Sequence, residues 1–256
     1  MLDATFTLKL VVTPALIGSA SLAGRRWGEG LSGWLVGLPF TSGPVVLFLA
    51  IDHGRDFAAA TAVGSLTGTA AQAAFSLAYG WTCGRWGWGG ALAAGTAAFA
   101  VAAMALQRLG LPVVAVLALV VASLAATLSL MPRGGGGAPA TRPSRWDLPA
   151  RMAVATSIVL GLTALAPALG ARLSGLLATF PVYAGILTVF AQRSAGAGAG
   201  IEVLRGLLFG LFAFAGFFFV VALSIGPAGV GPAFAAAIVL ALALQGASLW
   251  VLRRPR

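Results

Sequence analysis

The sequence predicts an all-α polytopic membrane protein of about nine transmembrane helices, arranged as two four-helix units in an inverted-topology repeat joined by an extra helix. Three observations lead there. Of the 256 residues, 59% are hydrophobic and 9% charged, and the mean hydropathy is +0.98, which a water-soluble globular domain does not sustain. The stretch Leu31 to Gly43, L-S-G-W-L-V-G-L-P-F-T-S-G, is written again 142 positions later as Leu173 to Gly185, L-S-G-L-L-A-T-F-P-V-Y-A-G. The basic residues, finally, fall unequally on alternate loops between apolar runs, the pattern that sets membrane orientation.

The repeat is gapless. It pairs Leu31, Ser32, Gly33, Leu35, Pro39 and Gly43 with Leu173, Ser174, Gly175, Leu177, Pro181 and Gly185. The same offset lays Gly64, Leu66, Gly68, Ala71, Ala73 and Phe75 on Gly206, Leu208, Gly210, Ala213, Ala215 and Phe217. Alanine-rich and glycine-rich membrane segments match by composition alone, so the proline and the paired glycines carry most of the weight.

In chain order, the apolar runs are about 6–24, 31–51, 57–80, 88–107, 111–131, 149–170, 173–192, 203–225 and 230–252. Each is near the ~20 residues that a helix needs to cross the hydrocarbon, whereas barrel strands would be shorter and alternating. The first run is a retained helix rather than a secretory signal, because Met1 to Thr7 carries Asp3 and the basic Arg25 and Arg26 follow the run instead of preceding it. The tract 88–131 is twice one crossing and is divided at Gln107-Arg108-Leu109-Gly110-Leu111-Pro112, where a charge meets helix breakers. Met131 to Asp147, M-P-R-G-G-G-G-A-P-A-T-R-P-S-R-W-D, is the one long polar tract and reads as a flexible cytoplasmic linker. The expected organisation is therefore a first four-helix unit over 1–108, a connecting helix over 109–131, a linker over 132–148 and a second four-helix unit over 149–256.

With nine crossings, Arg25, Arg26, Arg85, Arg133, Arg142, Arg145, Arg151, Arg193, Arg205, Arg253, Arg254 and Arg256 share one side, and Lys9, Arg55, Arg108 and Arg172 the other. Twelve against four places the first set in the cytoplasm, the N-terminus outside and the C-terminus inside a bacterial inner membrane. Trp27, Trp81, Trp86, Trp88, Trp146 and Trp250 fall at the same boundary, where indoles favour the headgroup layer. The odd fifth crossing turns the second unit upside down relative to the first.

The second half, with S-G-L-L-A-T-F-P at Ser174 to Pro181 and G-I-E-V-L-R-G at Gly200 to Gly206, resembles the small four-helix bacterial inner-membrane proteins of the GlpM type. The resemblance covers roughly Met152 to Arg254. A fainter copy covers the first half, with G-R-D-F-A-A at Gly54 to Ala59 in place of G-I-E-V-L-R. It implies architecture only and lends no catalytic or binding residue.

Pro39 and Pro181 each lie about nine residues into their runs from opposite sides, ~13 Å deep in a core of ~30 Å. Each removes a backbone donor, and flanking glycines weaken the helix further. Paired interrupted helices in inverted repeats point to a transporter's substrate site, with a plain helix kink as the competing reading. The expected site residues are Pro39, Thr41, Ser42, Gly43, Thr179, Pro181, Tyr183 and Gly185, whose hydroxyls suit a neutral or weakly anionic substrate. Asp52, His53 and Asp56 on one side, with Glu202 and Arg205 on the other, are the expected gates or proton sites, set against ordinary helix capping. No acidic residue maps near the midplane, which argues against a buried proton relay.

Gly64-x-x-x-Gly68 and Gly206-x-x-x-Gly210 are small-residue faces suited to packing within the bundle, with homodimerisation as the second reading. One histidine, one cysteine and no carboxylate pair at depth leave no enzyme constellation, metal site or cofactor to expect. Although the net charge is +10, the arginines between apolar runs set topology and do not signal nucleic acid. The expected partners are the lipid bilayer and a small-molecule substrate. Transport by alternating access of the two units is the expected function, with a membrane scaffold or accessory subunit as the alternative. Reporter fusions placed after Arg108 and after Met131 should locate on opposite faces of the membrane, and a shared face would remove the fifth crossing together with the inversion.

Overall fold

The structure, a computed structural model, describes residues 4–40, 42–134, 146–161 and 179–252. Thr41, residues 135–145, and residues 162–178 with Ser174, Gly175 and Leu177 of the repeated stretch lie outside them, as do the side chain of Lys9 and Arg142, Arg145, Arg172, Arg253, Arg254 and Arg256. Every element among the described residues is a helix. They are α1 (Ala4–Trp27), α2 (Glu29–Val36), α3 (Ser42–His53), α4 (Arg55–Leu106), α5 (Val113–Leu130), α6 (147–161), α7 (Val182–Ala195), α8 (Ala197–Ala228) and α9 (Val230–Leu252). Four of them, α4, α5, α8 and α9, are long and apolar enough to cross a bilayer. The protein is a helical membrane protein.

These segments do not match the expected crossings one for one. The run 31–51 is split into α2 and α3 around Pro39, whereas 57–80 and 88–107 correspond to the two parts of α4, 55–86 and 88–106, which meet at a kink at Gly87. Helix persists through 81–86, expected as a loop, because only Gly87 (φ 64°, ψ −175°) leaves helical geometry there. The expected break after 107 is present: α4 ends at Leu106, Gly110 has φ +53° and Pro112 caps α5. Asp147, expected in the linker, opens α6 and is held by Arg25 at 2.7 Å and Arg151 at 3.0 Å.

The corners correspond at the repeat offset. Gly54 (φ 88°, ψ 172°) and Gly196 (φ 87°, ψ 176°) cap α4 and α8, and Gly87 and Gly229 (φ 86°, ψ 173°) close 55–86 and the 32-residue α8. Extended backbone at positive φ is open to glycine alone, so these corners are written in the sequence. In torsion and position Gly54 corresponds to Gly196, whereas Gly200, which the resemblance sets beside Gly54, lies one helical turn inside α8.

The bundle has two ends. At one, Gly24 meets Glu29, Gly30 meets Glu202, Gly80 meets Met131 and Arg25 meets Asp147. At the other, Arg55 Nη1 donates to the Gly226 carbonyl at 3.4 Å near the α3–α4 corner. Trp27, Trp81, Trp86, Trp88, Trp146 and Trp250 are all exposed. Helix α8 is the axis, touching α2, α4, α5, α7 and α9. Most of its residues from Ala199 to Phe218 are buried, whereas α5, α9 and the part of α4 after Gly87 present Val101, Val114, Val239 and Leu242 outward.

Close approach to α8 rests on small residues. A Cβ on Gly33 would run into the Val203 carbonyl, one on Gly206 into the Gly30 carbonyl, and one on Gly37 would lie 2.6 Å from Gly210 Cα. The Gly206/Gly210 face thus packs inside the bundle. Because the obstructing atoms are backbone, the clash cannot be relieved by a rotamer change. Gly206→Ala should therefore lower the stability of the detergent-solubilised protein by more than the ~1–3 kcal/mol of ordinary overpacking. Gly246→Ala, with open space at its Cβ, should leave the thermal midpoint within about a degree or two or raise it.

Candidate functional site: the paired helix breaks

Where α2 stops, Pro39 offers no N–H and the chain leaves helical geometry over 37–40. Gly37 N–H still reaches the Gly33 carbonyl at 3.1 Å, but Leu38 N–H turns to Leu35 at 3.3 Å. A continuing helix would have delivered that donor to Trp34. The freed Trp34 carbonyl instead accepts from Gln245 Nε2 of α9 at 2.9 Å. Ser248 Oγ accepts from Trp34 Nε1 at 2.9 Å and donates to the Gln245 carbonyl, also at 2.9 Å, which locks α2 on α9.

The second break repeats the local geometry. Phe40 N–H bonds Leu38 O at 2.9 Å and Gly43 N–H bonds Pro39 O at 2.8 Å; at the offset of the repeat, Val182 bonds Phe180 and Gly185 bonds Pro181, both at 2.8 Å. Here the Thr179 carbonyl accepts from Gln72 Nε2 of α4 at 3.2 Å. Each break is thus served by a glutamine from the other half of the chain, although Gln72 and Gln245 are not equivalent in the repeat. A buried carbonyl without a partner would cost about 1–3 kcal/mol.

Contacts around the breaks are reciprocal. Gly43 faces Phe217, and its counterpart Gly185 faces Phe75; Gly37 meets Gly210, and its counterpart Thr179 meets Gly68. Each pair of contacts exchanges its partners at the offset of 142. Aromatic rings close the space: Phe180 sits edge-on to Phe75 (5.8 Å) and Phe99 (5.3 Å), and Phe217 to Phe218 (5.1 Å) and Phe234 (5.9 Å).

Of the expected site residues, Gly43, Pro181 and Gly185 are buried beside these rings, and Pro39, Ser42 and Thr179 are half-buried at the breaks. Thr41 lies outside the described residues. Tyr183 turns the other way, with its hydroxyl 3.0 Å from Thr13 Oγ1 of α1, in a separate apolar cluster with Ile17, Val182 and Ala155. Among the expected gates, Asp52, His53 and Asp56 are exposed at the α3–α4 corner, His53 stacked on Phe57 at 5.0 Å. Glu202 is half-buried beside Gly30 and Gly134, and buried Arg205 donates from Nη1 to the Leu128 carbonyl at 3.2 Å. The two groups stand at opposite ends of the bundle.

Sequence reasoning missed Gln72 as a cap, and missed Gln245, Trp34 and Ser248 altogether. It also missed Tyr79, whose hydroxyl donates to Gln192 Oε1 at 2.6 Å while Gln192 Nε2 donates to the Cys83 carbonyl at 3.0 Å. The available signal was a glutamine inside an apolar run, which must find a partner to be tolerated there. The hydroxyls of Thr61, Thr67 and Thr69 in α4 bond carbonyls of their own helix. At the end of the bundle, burial raises the Glu29 carboxyl above its usual range, against the lowering pull of Arg151.

The chain matches no known protein family, and neither a curated protein nor a solved structure proved similar to it. Gln245→Leu and Gln72→Leu should each lower stability by about 1 kcal/mol, the net worth of a part-buried hydrogen bond. Chemical denaturation in detergent measures this. Values near zero for both would mean that water reaches the breaks.

Proposed function

We propose that the protein is a membrane transporter of a small neutral or weakly anionic solute or lipid headgroup, working by alternating access of two four-helix units in inverted topology. The observation that carries this reading is the pair of broken helices at Pro39 and Pro181, alike in local hydrogen bonding and each capped from the other unit. Helices broken at depth are tolerated where they line a site or are served by protein, and paired breaks in related halves are the usual address of a transporter's substrate. Nine crossings would place the arginine-rich end in the cytoplasm of a bacterial inner membrane, with the N-terminus outside. The GlpM-type resemblance supports the four-helix unit and nothing about substrate. We read the chain as a non-enzyme without cofactor or metal.

In this reading the arrangement of Gln72 and Gln245 is a closed state. Gln245 is buried, and its Oε1 has no hydrogen-bond partner among the described residues, so a donor group is wanted beside the first break. A specific observation favours the second reading, a scaffold or accessory subunit: the space around the breaks is filled by Phe75, Phe99, Phe180 and Phe217.

Vesicles reconstituted with the purified chain and screened for uptake of small metabolites and headgroup analogues separate the two. Transport predicts that Pro39→Ala and Pro181→Ala each change the uptake rate by about tenfold, since ~1.4 kcal/mol of bias between two states has that effect. Pro14→Ala and Pro112→Ala, at prolines without a repeat partner, should leave uptake near wild type. Equal effects at all four prolines, or no uptake of any solute, would favour the scaffold.

A further inference from the structure

Away from the breaks, an open recess of ≈ 490 Å³ is lined by Leu128, Ser129, Met131, Arg133 and Arg205. Its position follows from the length of α5. Eighteen residues without a charge, Val113–Leu130, span ~27 Å, close to the ~30 Å hydrocarbon core, so the recess at their C-terminal end lies at headgroup depth. Two arginines line it from different parts of the chain. Arg205 reaches in from α8 and is only 8% exposed, while Arg133 comes from the segment after α5 and is exposed.

Arg205 is anchored by its bond to the Leu128 carbonyl at 3.2 Å, which also neutralises part of the negative end of α5. Capping that helix end accounts for Arg205 but not for Arg133 on the same recess. Glu202, one turn earlier on α8, faces Gly30 and Gly134 on the flank. Among the described residues around the recess, two arginines stand against this one carboxylate, an excess of one positive charge. Arginine pairs recognise phosphate oxygens through parallel N–H donors, and a recess of this size suits a small ligand.

We infer that the Arg133–Arg205 recess is a binding site for a phosphate oxyanion, either a free phosphate or the phosphodiester of an anionic lipid headgroup. The local charge of one matches a phosphodiester better than a dianion. The site does not depend on whether the protein transports a solute.

The test measures thermal stability of the full chain in a neutral maltoside detergent, alone, with inorganic phosphate, or with added phosphatidylglycerol, using chloride at equal ionic strength as reference. Wild-type protein should be stabilised by at least one addition. Stabilisation by inorganic phosphate assigns a free-anion site, and stabilisation by phosphatidylglycerol alone assigns a headgroup site. Arg133→Gln, a change at an exposed residue that leaves packing intact, should raise the apparent Kd by about tenfold or more, the worth of one charge-assisted contact. Arg108→Gln at the other end of the bundle should leave it unchanged. Arg205→Lys keeps the charge and should retain part of the affinity. No stabilisation by either addition, or equal affinity in wild type and Arg133→Gln, would overturn the site.

Discussion

A chain that breaks its helices in a packed apolar bundle must supply hydrogen-bond partners from its own side chains, because apolar neighbours offer none. That constraint organises this protein. Pro39 and Pro181 interrupt the helical ladder, and beside the two breaks the carbonyls of Trp34 and Thr179 accept from Gln245 and Gln72. Both glutamines come from the opposite half of the chain, so the halves are held together by the same bonds that make the breaks tolerable. The small residues follow from this requirement. A glutamine side chain reaches a backbone carbonyl on a neighbouring helix only if the helices lie close, and Gly33, Gly37, Gly206 and Gly210 bring the backbones of α2 and α8 together.

Two sets of observations relate the halves independently. The corner glycines repeat at the offset of 142 with nearly the same φ and ψ, and the contacts Gly43–Phe217 and Gly185–Phe75 exchange partners across the middle. The first is local and could arise from similar sequence alone. The second is a statement about packing between halves, and composition does not produce it. The glutamine caps break the relation, since Phe214 occupies the position equivalent to Gln72 and Ala103 the one equivalent to Gln245. Related backbones have thus been satisfied by unrelated side chains, the expected outcome when the need is for a donor and not for a particular residue.

Much of the fold was legible because membrane constraints are written in single residues. Apolar runs marked the helical spans, the Gln107–Pro112 interruption marked the turn into α5, and Pro39 marked the split between α2 and α3. Helix through Trp81 to Trp86 was not legible, since aromatic and glycine content at the membrane boundary reads equally as loop or helix. The one-turn slip that paired Gly54 with Gly200 has a similar origin. Four glycine or alanine residues in A-G-A-G at 197–200 offer several registers, and only the backbone torsion at Gly196 selects one. At the candidate site, the prolines were visible and their partners were not, because a helical sequence does not state which neighbour its glutamine will face.

The crossed caps also constrain any motion. If the halves move relative to one another, Gln72 leaves Thr179 and Gln245 leaves Trp34, and two half-buried carbonyls lose hydrogen bonds worth about 1 kcal/mol each. Ordinary two-state motions in proteins are separated by a few kcal/mol, so this loss alone is enough to hold the closed arrangement dominant. In the proposed transport cycle, an open arrangement would become accessible when something replaces the lost donors. Water can do so from a cavity, and a solute bearing N–H or O–H groups can do so with greater selectivity. A device of this kind needs no buried charge to couple binding to movement, which agrees with Asp52, Asp56 and Glu202 standing at the ends of the bundle and with glutamine, serine and tryptophan standing at its first break.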